Sequence, residues 1–418
     1  MPHPPFPHLP GEKGVKKNYK YIKSLPLGES LPRKAGDLGR GKKNWHKNTQ
    51  RKSKMKLKDL CSYLDSAVPI SFQEGYDNSG LQIGLPEREI SSAIITLDIT
   101  EEVIDEAISY KCDLLVSHHP LIFNPIKSLT GKSFTERIMY KAVKNDIAVY
   151  SAHTNLDVLS NGVSRMMAEK IGLQEISVLS PSENRLMKLV TYIPESHLDA
   201  VKNALFEAGA GVIGNYDQCG FTTPGTGSFR ANEMAKPFRG EKGKIHYEKE
   251  IRFETVLFSH LTDKVIKSLL EVHPYEEVAY DLYSLKNNNA GIGLGCVGIL
   301  HDPLSENDFL KLVSSVFKSK GIRYSNPTGN PVKKVALCGG SGASLLNLAI
   351  CSGAEAFVTA DIKYHDFFST ESKILLVDAG HFETEKFSGE ILKSLIIKKF
   401  PKFAVRFSET NTNPINYF

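Results

Sequence analysis

The stretch that decides the fold is SSAIITLDITEEVIDEAISYKCDLLVS, residues 91–117. It reads as a short apolar strand, a helix and a second apolar strand, because apolar residues run almost continuously at its two ends and recur with helical spacing between them. The pattern continues with a helix over 133–145 and a strand over 146–152. Short, continuous apolar strands that alternate with helices are typical of a mostly parallel sheet covered by helices on both faces. The sequence therefore predicts an α/β fold.

The same alternation returns near the end of the chain. Strand and helix patterns follow one another at 333–340, 343–352, 355–360, 373–380 and 383–398. Between the two α/β halves, residues 186–286 show the order strand, helix, glycine-rich turns, strand, helix, strand. This order suits a ferredoxin-like βαββαβ module and predicts an inserted α+β domain. Polar, linker-like segments flank it, as expected for a tolerated insertion. The predicted domains are thus 55–185 and 287–418 as the two halves of one α/β domain, and 186–286 as the insertion.

Residues 1–54 differ in composition from the rest of the chain. They are rich in Pro, Gly, Lys and Asn, lack a sustained apolar period, and are predicted to form a disordered basic extension. They contain 14 Lys and Arg against 3 Asp and Glu, a balance of +11, whereas the whole chain carries +5. Residues 55–418 therefore carry −6, the difference between these values. A mildly acidic body argues against nucleic-acid binding outside the extension.

The composition also narrows the cellular setting. No apolar run approaches the roughly 18 to 20 residues that cross a bilayer, and no signal-peptide pattern opens the sequence, so a cytoplasmic protein without a membrane partner is expected. The six cysteines are scattered and include no CxxC pair. They are expected to be reduced, and neither a disulfide framework nor a thiolate zinc site is predicted.

Histidines and carboxylates gather after the predicted strands. His118 and His119 follow the strand CDLLVS, and Pro120 ends the pairing there. The next strand leads into His153-Thr154-Asn155-Leu156-Asp157. Farther on, His381 follows the strand KILLVDAG, and Glu385 lies one helical turn later on the same face. Ligands of open α/β sheets bind beyond the carboxyl ends of the strands, so these groups are expected to converge.

The donor set favours a particular kind of metal site. Imidazoles with carboxylates suit Zn²⁺, Mn²⁺ or Fe²⁺ better than Ca²⁺ or Mg²⁺, which prefer oxygen ligands. Five ligands exceed what one open catalytic zinc needs and suit two metal ions about 3.5 to 4 Å apart. The predicted ligands of this dinuclear centre are His118, His119, Asp157, His381 and Glu385.

Two metal ions at a sheet edge make hydrolysis the natural reaction class, because they lower the pKa of a bridging water and polarise the substrate. Asp361 and His365 follow the strand EAFVTA at helical spacing, and they are the predicted catalytic acid and base candidates. The alternative for this pair is a helix cap with an exposed histidine.

Two glycine-rich segments have nucleotide-binding alternatives. Residues 293–298 fit GxGxxG in letters but precede a strand, so a dinucleotide fingerprint is rejected. Residues 339–342, GGSG, join a strand to a helix but lack the lysine of a P-loop, which favours a tight packing turn over a phosphate site.

The motifs, taken in order, resemble the GTP cyclohydrolase 1 type 2 homolog family, also called the NIF-three-like family. The resemblance runs from about Met55 to Phe407 through YDNSGLQIG (76–84), TLDIT (96–100), SHHPLIF (117–123), SAHTNLD (151–157), VTADIKYHD (358–366) and DAGHFETE (378–385). It implies a dimetal site on the five residues that the strand ends single out. It also implies a homohexamer and, from HPYEEVAYDLYSL at 273–285, a PII- or CutA-like insertion.

Three function classes follow from these observations. The first is a metal-dependent hydrolase of a nucleotide or cyclic substrate. The second is a non-catalytic regulatory or metal-handling protein whose insertion senses a small-molecule effector. The third, a transcription-associated interaction protein, ranks last because the folded body is acidic.

Overall fold

The computed structural model describes residues 54–183, 185–287 and 291–418. The predicted disordered extension lies outside these residues, apart from Lys54. The described residues form two compact units, one over 187–283 and the other over 54–186 and 284–418. No helix in these ranges is long and apolar enough to cross a membrane.

Strands and α-helices alternate along most of these ranges. The strands are β1 (Met55–Lys56), β2 (Gly80–Ile83), β3 (Glu89–Ile90), β4 (Ser92–Thr96), β5 (Leu114–Ser117), β6 (Ala148–Ser151), β7 (Gln174–Pro181), β8 (Leu186–Pro194), β9 (Gly220–Arg230), β10 (Ile245–Phe258), β11 (Tyr280–Leu285), β12 (Gly293–Leu304), β13 (Arg323–Tyr324), β14 (Val332–Ser341), β15 (Ala356–Ala360), β16 (Leu375–Asp378) and β17 (Ala404–Phe407). The α-helices are α1 (Leu57–Ala67), α2 (Glu101–Ser109), α3 (Phe134–Lys144), α4 (Thr154–Asp157), α5 (Val163–Lys170), α6 (Leu198–Ala208), α7 (Thr262–Val272), α8 (Glu306–Phe317), α9 (Leu346–Cys351), α10 (His381–Glu385) and α11 (Ser388–Lys399).

The larger unit contains two main sheets. The first has the order β17-β4-β5-β6-β2, and all of its neighbours are parallel except β2 and β6. The second has the order β13-β16-β15-β14-β12-β7, with parallel pairing only between β14, β15 and β16. The predicted α/β class is confirmed, but two mixed sheets replace the single, mostly parallel sheet. The physical reason is that strand pairing crosses between the two halves: β7 of the first half joins the second sheet, and β17 of the second half joins the first. Antiparallel pairs then form toward the edges of both sheets.

Alternation along the strands buries both faces of the first sheet. Ile95 and Val116 join the large core that also contains residues of the second sheet, whereas Ile94 and Leu115 point the other way and pack with α2 and α3. Helix α2 begins after Thr100, whose side chain accepts a hydrogen bond from the amide of Val103 and so caps a free donor. The central strands are therefore sandwiched and hold their carboxyl ends in fixed positions.

The smaller unit has its own core. Its elements follow the order β8, α6, β9, β10, α7, β11, and its strands lie in the order β11-β8-β10-β9. Leu189, Leu205, Phe253 and Leu269 are among the fully or nearly fully buried residues that fill it. The unit thus has a separate hydrophobic cluster of the kind that supports a domain.

Candidate metal centre

His118 and His119 lie together at the end of β5 because the strand becomes irregular there. Both amides donate to the neighbouring segment that ends β4, His118 to the carbonyl of Thr96 at 3.3 Å and His119 to that of Leu97 at 3.0 Å. In a regular ladder only alternate residues bond to one neighbour, so the irregular pairing lets adjacent side chains serve one site. The two ring centroids are 5.2 Å apart.

Glu385 lies at the centre of the cluster. One oxygen, Oε2, is 2.8 Å from Nε2 of both His119 and His381, whose Nε2 atoms are 3.3 Å from each other. The other oxygen, Oε1, is 3.9 Å from Nε2 of His118. Its side chain is only 5% exposed. The Glu385 carboxylate therefore spans two groups of nitrogen donors.

One glycine makes room for this carboxylate. Gly340 lies near the end of β14 with a φ of 57°, a left-handed conformation that favours glycine. Gly380, which precedes α10 with a φ of 93°, leaves room for the Glu383 carboxylate instead. A Cβ on Gly340 would overlap Oε1 of Glu385. The GGSG turn thus acts as a close-packing turn beside the cluster.

His118 and Asp157 provide the most direct sign that a cation fits. His118 Nε2 and Asp157 Oδ1 are 3.6 Å apart, and both atoms are buried without a hydrogen-bond partner among the residues that the structure describes. A buried polar atom without a partner is costly in free energy. A cation between them would satisfy both atoms.

His153 also faces the cluster. Its ring lies 5.3 Å from that of His118 and 5.5 Å from that of His119. Its Nδ1 is 2.8 Å from Oδ1 of Asp77, a carboxylate that also accepts from the amide and hydroxyl of Thr154. Sequence reasoning did not select His153 as a ligand, although its position two residues after β6 was a usable signal.

All four histidines share one arrangement. Each has its Nδ1 occupied by an acceptor within 2.8 Å, which leaves Nε2 for the centre. The acceptors are Ala152 O for His118, Asp98 for His119, Asp77 for His153 and Asp361 for His381. Metal-binding histidines in proteins are held by such outer hydrogen bonds, which fix the tautomer and the ring.

Three groups in this cluster have ligand atoms close enough to hold a metal ion. They are His118 with Asp157 and Glu385, His119 with His381 and Glu385, and His118 with His119 and His153. The first two groups share Glu385, and together they contain the five residues that follow the strand ends in the sequence.

The proton equilibria of the cluster are strongly perturbed. Burial lowers the pKa of His118 to about 3. For His119 burial acts in the same direction, but hydrogen bonds to Asp98 and Glu385 outweigh it and raise the pKa to about 9. Burial and the charge of Glu385 raise the pKa of Asp157 well above its usual range. Such opposed shifts in one small volume are characteristic of functional sites.

The two predicted acid and base candidates are in different surroundings. Asp361, which has a φ of 54°, accepts a 2.6 Å hydrogen bond from Nδ1 of His381. His365 is exposed on the 3₁₀ helix Tyr364–Thr370, where its ring centroid is 5.2 Å from that of Tyr364 and 6.3 Å from that of Phe368. The structure thus brings Asp361 to the cluster as a partner of His381 and leaves His365 among aromatic rings.

Aromatic side chains rim the cluster on the side of His153. The Phe123 ring is 6.2 Å from that of His153 and 6.2 Å from that of Tyr76. Burial first, and then nearby carboxylates that include Asp157, raise the pKa of Tyr76. Phe123 is 41% exposed and Tyr76 is 66% exposed, so both rings offer a free face beside the cluster.

Comparisons with known proteins agree along most of the chain. The family Duf34/NIF3 (NGG1p interacting factor 3) matches residues 55–414. A Bacillus subtilis protein named GTP cyclohydrolase 1 type 2 homolog is 39% identical over 370 residues, which are 86% of this chain and 97% of that protein. A Halalkalibacterium halodurans protein of the same name is 38% identical over 347 residues, covering 82% and 93%.

A solved structure gives the same result for the fold. A Bacillus cereus protein related to NIF3 superposes with a TM-score of 0.74 at 36% identity, covering 87% of this chain and 99% of that one. The similarity therefore includes both halves of the larger unit and the segment between them.

Proposed function

The chain belongs to the Duf34/NIF3 family, and we propose that it is a cytoplasmic dinuclear metal protein that hydrolyses a nucleotide or cyclic substrate. The observation that carries the proposal is the pair of buried, unpartnered atoms, His118 Nε2 and Asp157 Oδ1, beside a carboxylate shared by two groups of donors. One metal would be held by His118, Asp157 and Glu385, and the second by His119, His381 and Glu385.

The surrounding residues define what each part of the site does. Bound divalent metal would supply a water of lowered pKa and polarise the substrate oxygen or ring nitrogen. Asp98 and Asp361 hold the rings of His119 and His381 with Nε2 turned inward. Asp361 is proposed as a positioning group for His381 and as an acid or base candidate, and His365 is kept as a second acid or base candidate. The donor types favour Zn²⁺, Mn²⁺ or Fe²⁺.

The aromatic rim supports a substrate with a planar ring. Tyr76 and Phe123 present free faces next to the donors, and aromatic side chains bind nucleobases by stacking. GTP is the natural first compound to test, because relatives carry the name GTP cyclohydrolase 1 type 2 homolog.

Elemental analysis tests the metal centre. About two metal ions per chain are expected after loading with Zn²⁺, Mn²⁺ or Fe²⁺, and the double variant His118→Ala/Glu385→Ala is expected to lose both. His301→Ala/Glu89→Ala is the matched control, since these side chains are 78% and 62% exposed and lie in surface ion pairs. Absence of stoichiometric metal in the wild-type protein would contradict the proposal.

A second candidate function rests on the separate core of residues 187–283. The order of its elements and strands supports the proposal of a ferredoxin-like, PII- or CutA-like module, which would sense a small effector in a non-catalytic regulatory or metal-handling protein. Stoichiometric metal without turnover of GTP, together with effector binding that needs this segment, would favour the second function over hydrolysis.

The family resemblance also leads us to propose a homohexamer, which analytical ultracentrifugation tests directly.

A further inference from the structure

Residues 408–418 follow β17 and are held by an extensive set of polar contacts. The amide of Ser408 donates to Ile95 O at 2.8 Å, and its hydroxyl donates to Glu106 at 2.6 Å. Glu106 also accepts from the amide of Glu409 at 3.0 Å and from the hydroxyl of Thr410 at 2.9 Å. One glutamate of α2 thus anchors the beginning of the segment.

The next residues reach the outer side of the metal-binding cluster. The hydroxyl of Thr412 donates to Oδ2 of Asp98 at 2.8 Å, while Oδ1 of the same carboxylate is 2.6 Å from Nδ1 of His119. The side-chain amide of Asn413 donates a hydrogen bond to Oε1 of Glu383 at 3.0 Å. Glu383 lies on α10, the helix that carries His381 and Glu385.

The segment is fixed again beyond these contacts. The ring of Tyr417 packs against Gly321, where a Cβ would come within 2.6 Å of the ring. Residues 408–418 are therefore held before and after Thr412, and the Thr412 hydroxyl has a defined position.

We propose that residues 408–418 form a strap that positions the metal ligands, with Thr412 orienting His119 through Asp98 and Asn413 bracing α10. The proposal rests on the metal-binding function above and deepens it. Asp98 is 33% exposed, so without Thr412 its second oxygen would face water and the carboxylate could rotate. A carboxylate fixes a metal-binding histidine only when its own orientation is fixed.

Thr412→Val tests this role, because valine keeps the shape of threonine and removes the hydroxyl. Loss of a direct outer partner of a metal ligand costs roughly 10- to 100-fold in metal affinity, and Thr412 acts one step farther out. We expect Thr412→Val to weaken Co²⁺ binding about three- to tenfold, measured by competition with a chelator, and Asp98→Asn to weaken it more. Thr412→Ser retains the hydroxyl and is expected to keep wild-type affinity.

Thr410→Val is the matched control. It removes a hydroxyl from the same strap, but that hydroxyl bonds to Glu106, which is not a partner of the cluster. Co²⁺ affinity and the visible absorption of bound Co²⁺ are expected to stay at wild-type values in Thr410→Val and to change in Thr412→Val. The thermal stability of the metal-free variants, measured alongside, reports any general loosening.

Equal losses of affinity in both valine variants would show that the strap is only structural and would overturn the proposal. Wild-type affinity in Thr412→Val would overturn it as well. Failure of the wild-type chain to bind Co²⁺ would instead contradict the proposed metal centre itself, so the two failures are distinguishable.

Discussion

At the scale of single residues, the position of Glu385 depends on the absence of a side chain at Gly340. The space for its Oε1 exists because Gly340 has no side chain, and the left-handed backbone of Gly340 also favours glycine. Glu385, a proposed metal ligand, can therefore be displaced by a substitution at a residue that is not itself a proposed ligand.

Gly340→Ala is expected to reduce metal affinity by at least about tenfold, because its methyl group would push Glu385 out of the place where three histidines meet it. The measurement is chelator competition on the purified variant. Gly353→Ala is the control, since Gly353 has a φ of 75° and open space around its Cβ position. Both changes should cost about 1 to 2 kcal/mol of stability through backbone strain, but only the first should affect metal binding. Equal metal affinity in the two variants would refute the close-packing role of Gly340.

Phe123→Ala probes the aromatic rim. We expect metal content to remain at the wild-type level and the affinity for GTP to fall about tenfold, since stacking of a base on an aromatic side chain contributes roughly 1 to 3 kcal/mol. Isothermal titration of the metal-loaded protein measures the affinity. Phe134→Ala, at a ring that is 52% exposed on α3, should leave it unchanged. Unaltered GTP binding in Phe123→Ala would exclude stacking at this ring.

At the scale of elements, the histidines that follow strand ends could be predicted from the sequence. The carboxylates that form hydrogen bonds with those histidines could not. Apolar runs followed by His118, His119 or His381 are local patterns, and the structure brings these side chains together. Asp98 and Asp77 have no comparable pattern, because a carboxylate after a strand or in a loop is common and its partner lies far away in sequence. The assignment of the strands to two sheets was also hidden, since edge pairing depends on tertiary contacts.

The docking of the strap on Glu106 is expected to depend on pH. Burial opposes the charged form of Glu106, but hydrogen bonds from Ser408 and Thr410 outweigh it and lower its pKa below the ordinary value of 4.5. A carboxyl with a lowered pKa stabilises the folded state above its ordinary pKa and loses this contribution as the pH falls through the lowered value. We therefore expect residues 408–410 to be docked at a pH above the ordinary pKa of 4.5 and to loosen as the pH falls through the lowered pKa of Glu106.

Hydrogen exchange of the Glu409 and Thr410 amides, corrected for the intrinsic rate, measures this loosening. In Glu106→Gln the ionisable group is gone, so exchange is expected to be faster at neutral pH and independent of pH. Protection that persists at low pH in the wild-type chain would contradict the role of the Glu106 charge.

At the scale of the whole molecule, the chain leaves the larger unit after β7 and returns to it before β12, and these two strands pair with each other. Pro181 pairs with Gly293 between β7 and β12, and the amide of Ser182 donates to Ile292 O at 2.8 Å. Among the residues that the structure describes, the hydrophobic clusters of this unit contain no residue of 187–283. Five of the six elements in the intervening segment were predicted from the sequence, because their helical and strand periods are clear. The exception is β9, whose sequence GFTTPGTGSFR contains glycine and proline and was interpreted as part of a glycine-rich turn region.

Replacement of residues 186–290 by a short glycine-rich linker is therefore expected to leave a folded protein that still binds metal. A tight turn between β7 and β12 would turn the existing antiparallel pair into a hairpin. Circular dichroism and elemental analysis of the shortened chain measure fold and metal content, with His118→Ala/Glu385→Ala in the same background as the control. Loss of metal in the shortened chain with its secondary structure intact would show that the site depends on the removed segment.

The candidate metal donors follow strands of two different sheets, and the ribosome therefore synthesises them at different times. His119 and Glu385 are 266 residues apart, and at about 5 to 20 residues per second a ribosome needs on the order of tens of seconds to pass from one to the other. In a nascent chain, His118 and His119 are therefore present long before the Glu385 carboxylate has been synthesised. If the proposed centre binds metal, only the finished protein can do so at full affinity, and ribosome-bound chains that stop before residue 381 are expected to retain none at that affinity.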